Sequence, residues 1–478
     1  MEITETKHSC LRLNSIVNCI YNCKVNLNEK LMKKLFILTA FILTIPSLIF
    51  SQQKLDLNEA IQTALGNNPS IETIKNNLQI QKYNIKSTKG DLFPNLNFSA
   101  GWNRSHTYSK GGIIFQNGIP ITISDQDNTQ DNFNLLLNAN VILFDGFANY
   151  ESVDLENENE RSLRLTLERE KNGVVITVNQ YFFDVLKKEQ IVKTNEDNLS
   201  ESIAQLEKIK EYYNVGKITI ADVYKQEVQV AQNELILEQS KNDFRKSKVD
   251  LLLVMNEDVN KEFIVDPKGI KSDMLKEELG LILESNLDIN KLVNNAISNR
   301  YDYKSGLQNI KIYQTRLSIA KKNLFAPTLS AFGNYNLSGI DLTEITDTRV
   351  ASYGLTLSYP IFQGFNLDVN EQIAEVNLKQ KSEDVKYLEL QIKSEIKKAV
   401  LDLETAYKQI EILETNIVSA EQDKLLSEES YRVGLATVLD VQTALTKLNN
   451  LRLEKINSVY NFLIAKKLID YYTGQLKY

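Results

Sequence analysis

Cysteine is confined to the first 23 of 478 residues, at Cys10, Cys19 and Cys23. A chain cleaved beyond that stretch has no disulfide, no thiol nucleophile and no thiolate metal site. Histidine is as scarce. After His8 only His106 remains, so neither a His-based metal cluster nor a Ser-His-Asp triad can be assembled within one chain. Basic charge is not in excess: the formal net charge is −7, which removes the electrostatic footprint of a nucleic-acid binder. Gly216-Lys217 lacks the earlier glycine of a phosphate-cradling loop. Acidic pairs are plentiful, but they fall at helical spacing, as solvated helix faces do. The sequence therefore reads as a non-enzyme, with no cofactor and no metal.

Long apolar runs are also missing, with one exception. Leu35–Phe50 follows the basic Met32-Lys33-Lys34 and precedes the polar Ser51-Gln52-Gln53. That is the layout of a secretory signal peptide, and the run falls short of the roughly 20 residues of a spanning helix. Residues 1–51 are read as leader and signal, with Met32 as the natural start. No cysteine follows the run to carry an amino-terminal lipid.

Proline is rare, and its distribution is the main clue. None of the 7 lies in Ala148–Tyr213 or in Asn366–Tyr431, two stretches of 66 residues each (213 − 148 + 1 and 431 − 366 + 1). As a single helix each would reach roughly 100 Å at about 1.5 Å per residue. In the second, Ile396, Ala399, Leu403, Ala406, Ile410, Leu413 and Ile417 step by three and four, a heptad seam. Such a seam needs partners, and Ala221–Met255 and Val438–Asp470 (with Val441, Leu445, Leu448 and Leu451) are read as return helices.

The chain uses one unit twice. Asp56–Lys89 reads as helix, interrupted at Gly66–Pro69. Strand candidates Asn95–His106 and Phe133–Phe144 follow, with Tyr108–Asp131 read as the loop between them. The second copy has helix Ile289–Asn323, strand candidates Thr328–Ser338 and Ser352–Phe362, and loop Gly339–Val350. Phe144-Asp145-Gly146-Phe147 and Phe362-Gln363-Gly364-Phe365 open the two rods 218 residues apart (362 − 144). The prolines before the strand pairs, Pro94 and Pro327, are instead 233 apart (327 − 94), so the first pair carries 15 extra residues. A fixed register over so long a stretch marks a duplication. The repeats are 52–286 and 287–478. Val259–Asp288 is charged and unperiodic, and is assigned to the outside of the helical sleeve.

Each strand candidate alternates. Leu96, Phe98, Ala100 and Trp102 oppose Asn97, Ser99, Gly101 and Asn103, and Tyr353, Leu355, Leu357 and Ile361 oppose Ser352, Gly354, Thr356 and Ser358. One greasy and one wet face suit a barrel wall in a membrane, although a soluble sandwich alternates identically. The sandwich offers no reason for long helices to bracket every strand pair. Four strands cannot close a barrel, and hydrocarbon forbids an open sheet edge, so copies must pool their strands.

Both rods end in Tyr-x-Val-Gly. Gly216 and Gly434 are natural helix C-caps. Thr219 and Thr437 stand three residues before Asp222 and Asp440, a capping box with Asp in place of Glu. Repeated around a narrow tube end, Asp222 and Asp440 would form carboxylate rings that favour cations.

With these motifs in place, residues 54–474 resemble the TolC family of outer-membrane efflux proteins. The duplicated Phe-x-Gly-Phe and Tyr-x-Val-Gly…Thr-x-x-Asp-Val motifs carry the likeness, with Leu-Phe-Pro or Leu-Phe-Ala-Pro before each strand pair. The resemblance implies an α plus transmembrane β fold: a homotrimeric 12-stranded barrel in outer-membrane lipid, continued by a 12-helix periplasmic α-barrel. It also implies a periplasmic adaptor docking at the tips and an inner-membrane transporter that supplies energy. Val215, Gly216, Thr219, Val433, Gly434 and Thr437 match docking turns, and Tyr431, Asp222 and Asp440 match entrance residues. Ala436 and Thr443 stand where the family's closing network has an Arg and a second Asp, so that network is thinned. The expected function is a passive exit duct of a tripartite pump or type I secretion system. The alternatives are a periplasmic adaptor, which would hold one hairpin rather than two, and a coiled-coil surface protein, which would not need the strand pairs.

Overall fold

A computed structural model describes residues 53–270 and 276–476; the leader and signal peptide lie outside them. The described residues fall into two units, one of β1 (Gln53–Leu55) with Glu262–Ile264, the other of everything else. β1 forms a two-stranded ladder with β6 (Phe263–Val265). In the larger unit the chain runs α1 (Leu57–Asn67), α2 (Pro69–Gly90), β2 (Asn95–Ser109), β5 (Gln126–Phe144), α3 (Ala148–Asn214) and α4 (Ile220–Val254). The order then recurs as α6 (Ile289–Asn299), α7 (Tyr301–Phe325), β7 (Thr328–Gly339), β8 (Thr348–Ser358), α8 (Asn366–Arg432) and α9 (Val438–Tyr472).

Four expectations need correction. Tyr108–Asp131 is not a loop: β2 and β5 extend into it, and it holds the hairpin of β3 (Gly112–Gln116) and β4 (Ile119–Ile123). β8 stops at Ser358, leaving Tyr359–Phe362 outside the ladder, because Pro360 has no amide to donate. The helix expected over Ile289–Asn323 breaks at Arg300, whose extended backbone (φ −61°, ψ 130°) repeats that of Asn68 before Pro69 (φ −69°, ψ 121°). No proline marks the second break. Arg300 is instead fixed by a fork to Asp302 (2.6 and 3.0 Å) and a 2.6 Å bond to Glu395 on α8. Finally, Val259–Asp288 contains β6 and α5 (Lys276–Ser285), which packs on α8.

The sheet runs β2-β5-β7-β8, antiparallel throughout. Its register gathers Leu96, Phe98, Phe133, Leu135, Leu337, Leu355 and Leu357 on one face, and asparagines and serines on the other. On the polar face two glycines admit large neighbours: Phe332 lies over Gly354, and the Asn134 side chain lies over Gly101. The helices keep the lateral order of the strands, α2 beside α3, α3 beside α7, α7 beside α8. Towards the tips the order becomes α4-α3-α9-α8.

Each Phe-x-Gly-Phe turn converts a strand into a rod. Gly146-Phe147 and Gly364-Phe365 all have positive φ (62° to 70°), a strained state for an aromatic residue. An edge-to-face ring pair holds it, Phe144 on Phe147 at 5.5 Å and Phe362 on Phe365 at 5.3 Å. Both rods then run 67 residues without a break.

The duplicated hairpins differ in their packing. The predicted seam of α8 is buried from Ile396 to Leu413, most of it in one core with Val459, Phe462, Ala465 and Ile469 of α9, and towards the tip α9 buries Val441, Ala444, Leu445 and Leu448. Over the equivalent depth α3 is apolar too, with Val178, Phe182, Val185 and Leu186 buried. Nearer the tip it buries Asn195, Asn198 and Ser202 and α4 buries Gln226, where the second hairpin buries Leu413, Ala420 and Ala444. Asn195 and Asn198 line a cavity of about 280 Å³ with Gln229, Asn233 and Asn449. Amide layers of this kind surrender little to water when they open, whereas a leucine seam loses its whole transfer energy. Hydrogen exchange of residues 195–233 is expected to be faster than that of residues 413–451, and Asn198→Leu to slow it. Leu403→Ala, deep in the seam, is expected to destabilise by about 2–5 kcal/mol in thermal unfolding.

Candidate functional site at the helical tips

Both rods end in a Schellman motif, in which the two residues after the helix bond back to its last carbonyls. Gly216 N–H donates to Tyr213 O (2.9 Å) and Lys217 N–H to Tyr212 O (2.9 Å); Gly434 and Leu435 repeat this on Tyr431 O (3.1 Å) and Ser430 O (2.8 Å). The geometry needs positive φ at the glycines, which have 75° and 83°. A Cβ at either would point into open space yet sit on a strained backbone. The turns thrust apolar side chains outward: Val215, Val433 and Leu435 are 69%, 58% and 85% exposed.

The return helices begin with the expected capping boxes. Asp440 Oδ2 accepts from the Thr437 amide and hydroxyl, both at 2.7 Å, and the Asp440 amide donates to Thr437 Oγ1 at 3.3 Å. Asp222 Oδ2 takes the Thr219 hydroxyl at 2.9 Å and its amide at 3.4 Å, while Oδ1 takes Lys225 Nζ at 3.2 Å. The two carboxylates are thus unequal. Asp222 has a cation beside it; no ion pair to Asp440 occurs among the described residues. Bonds from the Thr437 amide and then its hydroxyl hold Asp440 below the usual carboxylate range. For Asp222 partial burial pulls upward, but Thr219 and Lys225 outweigh it and the net shift is also down.

Tyr431 is where the two hairpins of one chain meet. It packs with Ile209, Val223, Val438, Leu206 and Ile218, and its ring lies 6.2 Å from that of Tyr212. Tyr213, its repeat mate 218 residues earlier (431 − 218), is exposed instead. The Tyr431 hydroxyl is buried with no hydrogen-bond partner among the described residues. Burial, the Asp222 charge and Tyr212 push it up to about 12, so it stays a neutral hydroxyl.

Sequence reasoning missed the second link between the hairpins. Gln442 Nε2 donates to Gln226 Oε1 (2.9 Å), and Gln226 Nε2 donates to Ser202 O (3.0 Å). Thr443 turns back on its own helix, donating to Leu439 O at 2.7 Å, and Ala436 offers no polar group. Around Tyr431 and Gln442 the hairpins are therefore joined by amides and apolar contact, and further from the tip by an ion pair between Lys424 and Glu201. Lys217, above the Tyr212 ring at 5.5 Å, was also outside the expected set.

None of the described helices is long and apolar enough to cross a membrane, a statement that concerns helices alone. Four strands with one apolar face, each continuous with a helix and used in duplicate, define the channel-forming class of membrane proteins in which strands cross the bilayer and helices extend from it. The comparisons narrow this. A profile of the outer membrane efflux protein family matches residues 60–257 and 292–475, and the chain belongs to that family. It is 20% identical over 444 residues to outer membrane protein TolC of Escherichia coli, covering 88% of this chain and 82% of TolC. The TolC of Vibrio cholerae is 20% identical over 453 residues, with 91% and 94% covered. Among solved structures, the outer membrane protein VceC of Vibrio cholerae superposes with a TM-score of 0.67 at 18% identity, covering 87% of this chain and 96% of VceC. The CmeC outer membrane channel of Campylobacter jejuni gives 0.70 at 15% identity, with 88% and 85% covered. The protein is an outer-membrane exit duct of an efflux system, with its helical part in the periplasm. Its family is a channel family and not an enzyme family.

The caps make a pH prediction. A carboxylate held below its ordinary value of 3.8 adds stability that is complete above that value and fades as pH falls through the lower, folded one. The first turn of α9 is expected to keep its hydrogen-exchange protection from pH 7 to 5 and lose it below about pH 3.8. Asp440→Asn should lose it at every pH.

Proposed function

We propose that three copies close edge to edge into one pipe. Twelve strands form its wall, twelve helices its sleeve, and it conducts substrate passively from an inner-membrane transporter through a periplasmic adaptor to the outside. The single observation that carries this reading is the sheet of four strands, whose terminal members β2 and β8 each leave one edge unpaired. The apolar face belongs against lipid, where an unpaired edge costs several kcal/mol per peptide group, and another copy is the partner that supplies the missing ladder. The helices support the same closure. α8 flanks the layer and carries Ile373, Val376, Tyr387, Leu390, Leu401 and Ile412 exposed along its length. Water does not favour so long an apolar stripe, and the α2/α4 flank of a neighbour would cover it.

At the tips, Val215, Gly216 and Thr219 with Val433, Gly434 and Thr437 form the adaptor-docking surface. Its support is that the glycines lock the turns while valines and Leu435 face outward. Asp222, Asp440 and Tyr431 form the channel entrance. Asp440 is its effective cation-attracting group, since Asp222 has Lys225 beside it. The repeats 52–286 and 287–478 each supply one strand pair and one hairpin to the assembly.

The mass of the detergent-solubilised complex is expected to be that of three chains; a monodisperse, detergent-free monomer would refute the assembly. In planar bilayers, Asp440→Ala should reduce cation preference more than Asp222→Ala, and equal or absent effects would remove the carboxylates from the entrance. For docking, cysteine belongs at Val215 and Val433, which are exposed and unstrained, rather than at the glycines. In the mature chain these would be the only thiols. Capture of a periplasmic adaptor from either site is the expected result, and failure at both would remove the tips from docking.

A further inference from the structure

The connection between β2 and β5 is longer than a barrel wall requires. β3 and β4 pair from Gly112↔Ile123 to Gln116↔Ile119, closed by Asn117-Gly118. Both turn residues have positive φ, 53° and 81°, as a type I′ turn requires. The second repeat has only residues 340–347 at the equivalent place, so the described residues of each chain hold one such hairpin.

This hairpin is apolar on both faces. The register puts Ile114, Ile119 and Ile121 on one side and Ile113, Phe115 and Pro120 on the other. Phe115, Ile113 and Ile119 are 73%, 66% and 65% exposed. A free two-stranded hairpin is marginal in water, and an apolar patch rimmed by polar residues marks an interface. Nor does the hairpin trail loosely from the wall. Asp125 fastens its neck, accepting from the Tyr108 hydroxyl (2.7 Å) and the Gly111 amide (2.8 Å). At Gly111 the strands pass so closely that a Cβ would lie 2.2 Å from Ile123 O.

Lipid tails cannot cover it. On the apolar face of the wall Trp102 stacks near Phe133 at 6.4 Å, and beyond them come the pairs Arg104–Asp131 (2.7 Å) and His106–Asp127 (3.2 Å). Aromatic rings followed by charged pairs mark the level at which a barrel leaves hydrocarbon. The hairpin starts ten residues beyond Trp102 (112 − 102), roughly 30 Å of strand at about 3.3 Å per residue. It stands outside the membrane.

Building on the trimeric duct proposed above, we infer that the three hairpins pack on one another over the outer mouth and form an apolar closure at the end opposite the helical tips. The two faces carry the argument for this occupant. In a ring of three every hairpin touches two neighbours, one on each face, whereas a single partner would leave one apolar face bare. One hairpin per chain supplies three, the number the ring needs. The tied neck aims all three alike.

The test uses the mature chain, which lacks cysteine, with Phe115→Cys on one face and Ile121→Cys on the other. Ring contacts pair unlike faces, so mild oxidation of the purified complex is expected to link neighbouring chains through these two positions, and neither substitution alone is expected to link them, while the complex keeps the mass of three chains. Replacing Ile113, Phe115 and Ile119 together by serine should raise single-channel conductance roughly twofold or more at unchanged mass. A three-chain complex with no crosslink between Phe115→Cys and Ile121→Cys and unaltered conductance would overturn the closure and leave the trimer standing. So would a Phe115→Cys thiol that links only to Leu342→Cys, since the hairpin would then lie on a neighbour's short loop. A complex of any other stoichiometry would remove the trimer and the closure together.

Discussion

A peptide group in hydrocarbon has no water to bond, so every amide and carbonyl at membrane depth must find a partner in protein. That constraint governs this chain. Each repeat supplies two strands, and duplication pairs them into four through the β5–β7 ladder. The pairing is still unfinished, because β2 and β8 have neighbours on one side only. In the proposed assembly the hydrogen bonds of these two edges, rather than any buried core, are what a neighbouring copy supplies.

The helices obey the same geometry at one remove. Strand and helix share a lateral order, so the helical layer continues the sheet instead of packing across it. The join must turn the chain from a ladder into a rod within four residues. Two positive-φ residues and an edge-to-face ring pair accomplish that at Phe147 and again at Phe365. At the far end the turn is made by glycine and a capped threonine, with no aromatic and little strain. One end of each rod is held by the ring pair of its strand-to-helix turn; the other is closed by local hydrogen bonds and offers its apolar side chains outward.

What the sequence disclosed followed the reach of its signals. The rods, their heptad seam, the Gly216 and Gly434 caps and the Thr-x-x-Asp boxes are local patterns, and they lie within a residue or two of their expected bounds. Arg300 shows the limit. No proline or glycine announces its break, which depends on Glu395 almost a hundred residues away. The β3–β4 hairpin was hidden for another reason: Gly and Asp crowd its neck, and its six apolar residues come in two consecutive runs with no alternation to mark a strand. At the tips, Asp222 and Asp440 look equivalent on paper, and only the position of Lys225 separates them. Tyr212 meets Tyr431, and Gln226 meets Gln442, through the sideways contact of two hairpins, which no spacing along the chain encodes.

The two hairpins began as copies and no longer share a material. Over their tip halves one is laced with amides from Asn195 to Asn233, the other zipped with aliphatic side chains from Leu413 to Leu448. Any closed ring of such units alternates pliant and stiff staves. A tube with uniform staves dilates evenly, like a hoop under pressure. One with alternating staves yields at every second joint, so its bore would widen towards a triangle while the stiff members swing as intact struts.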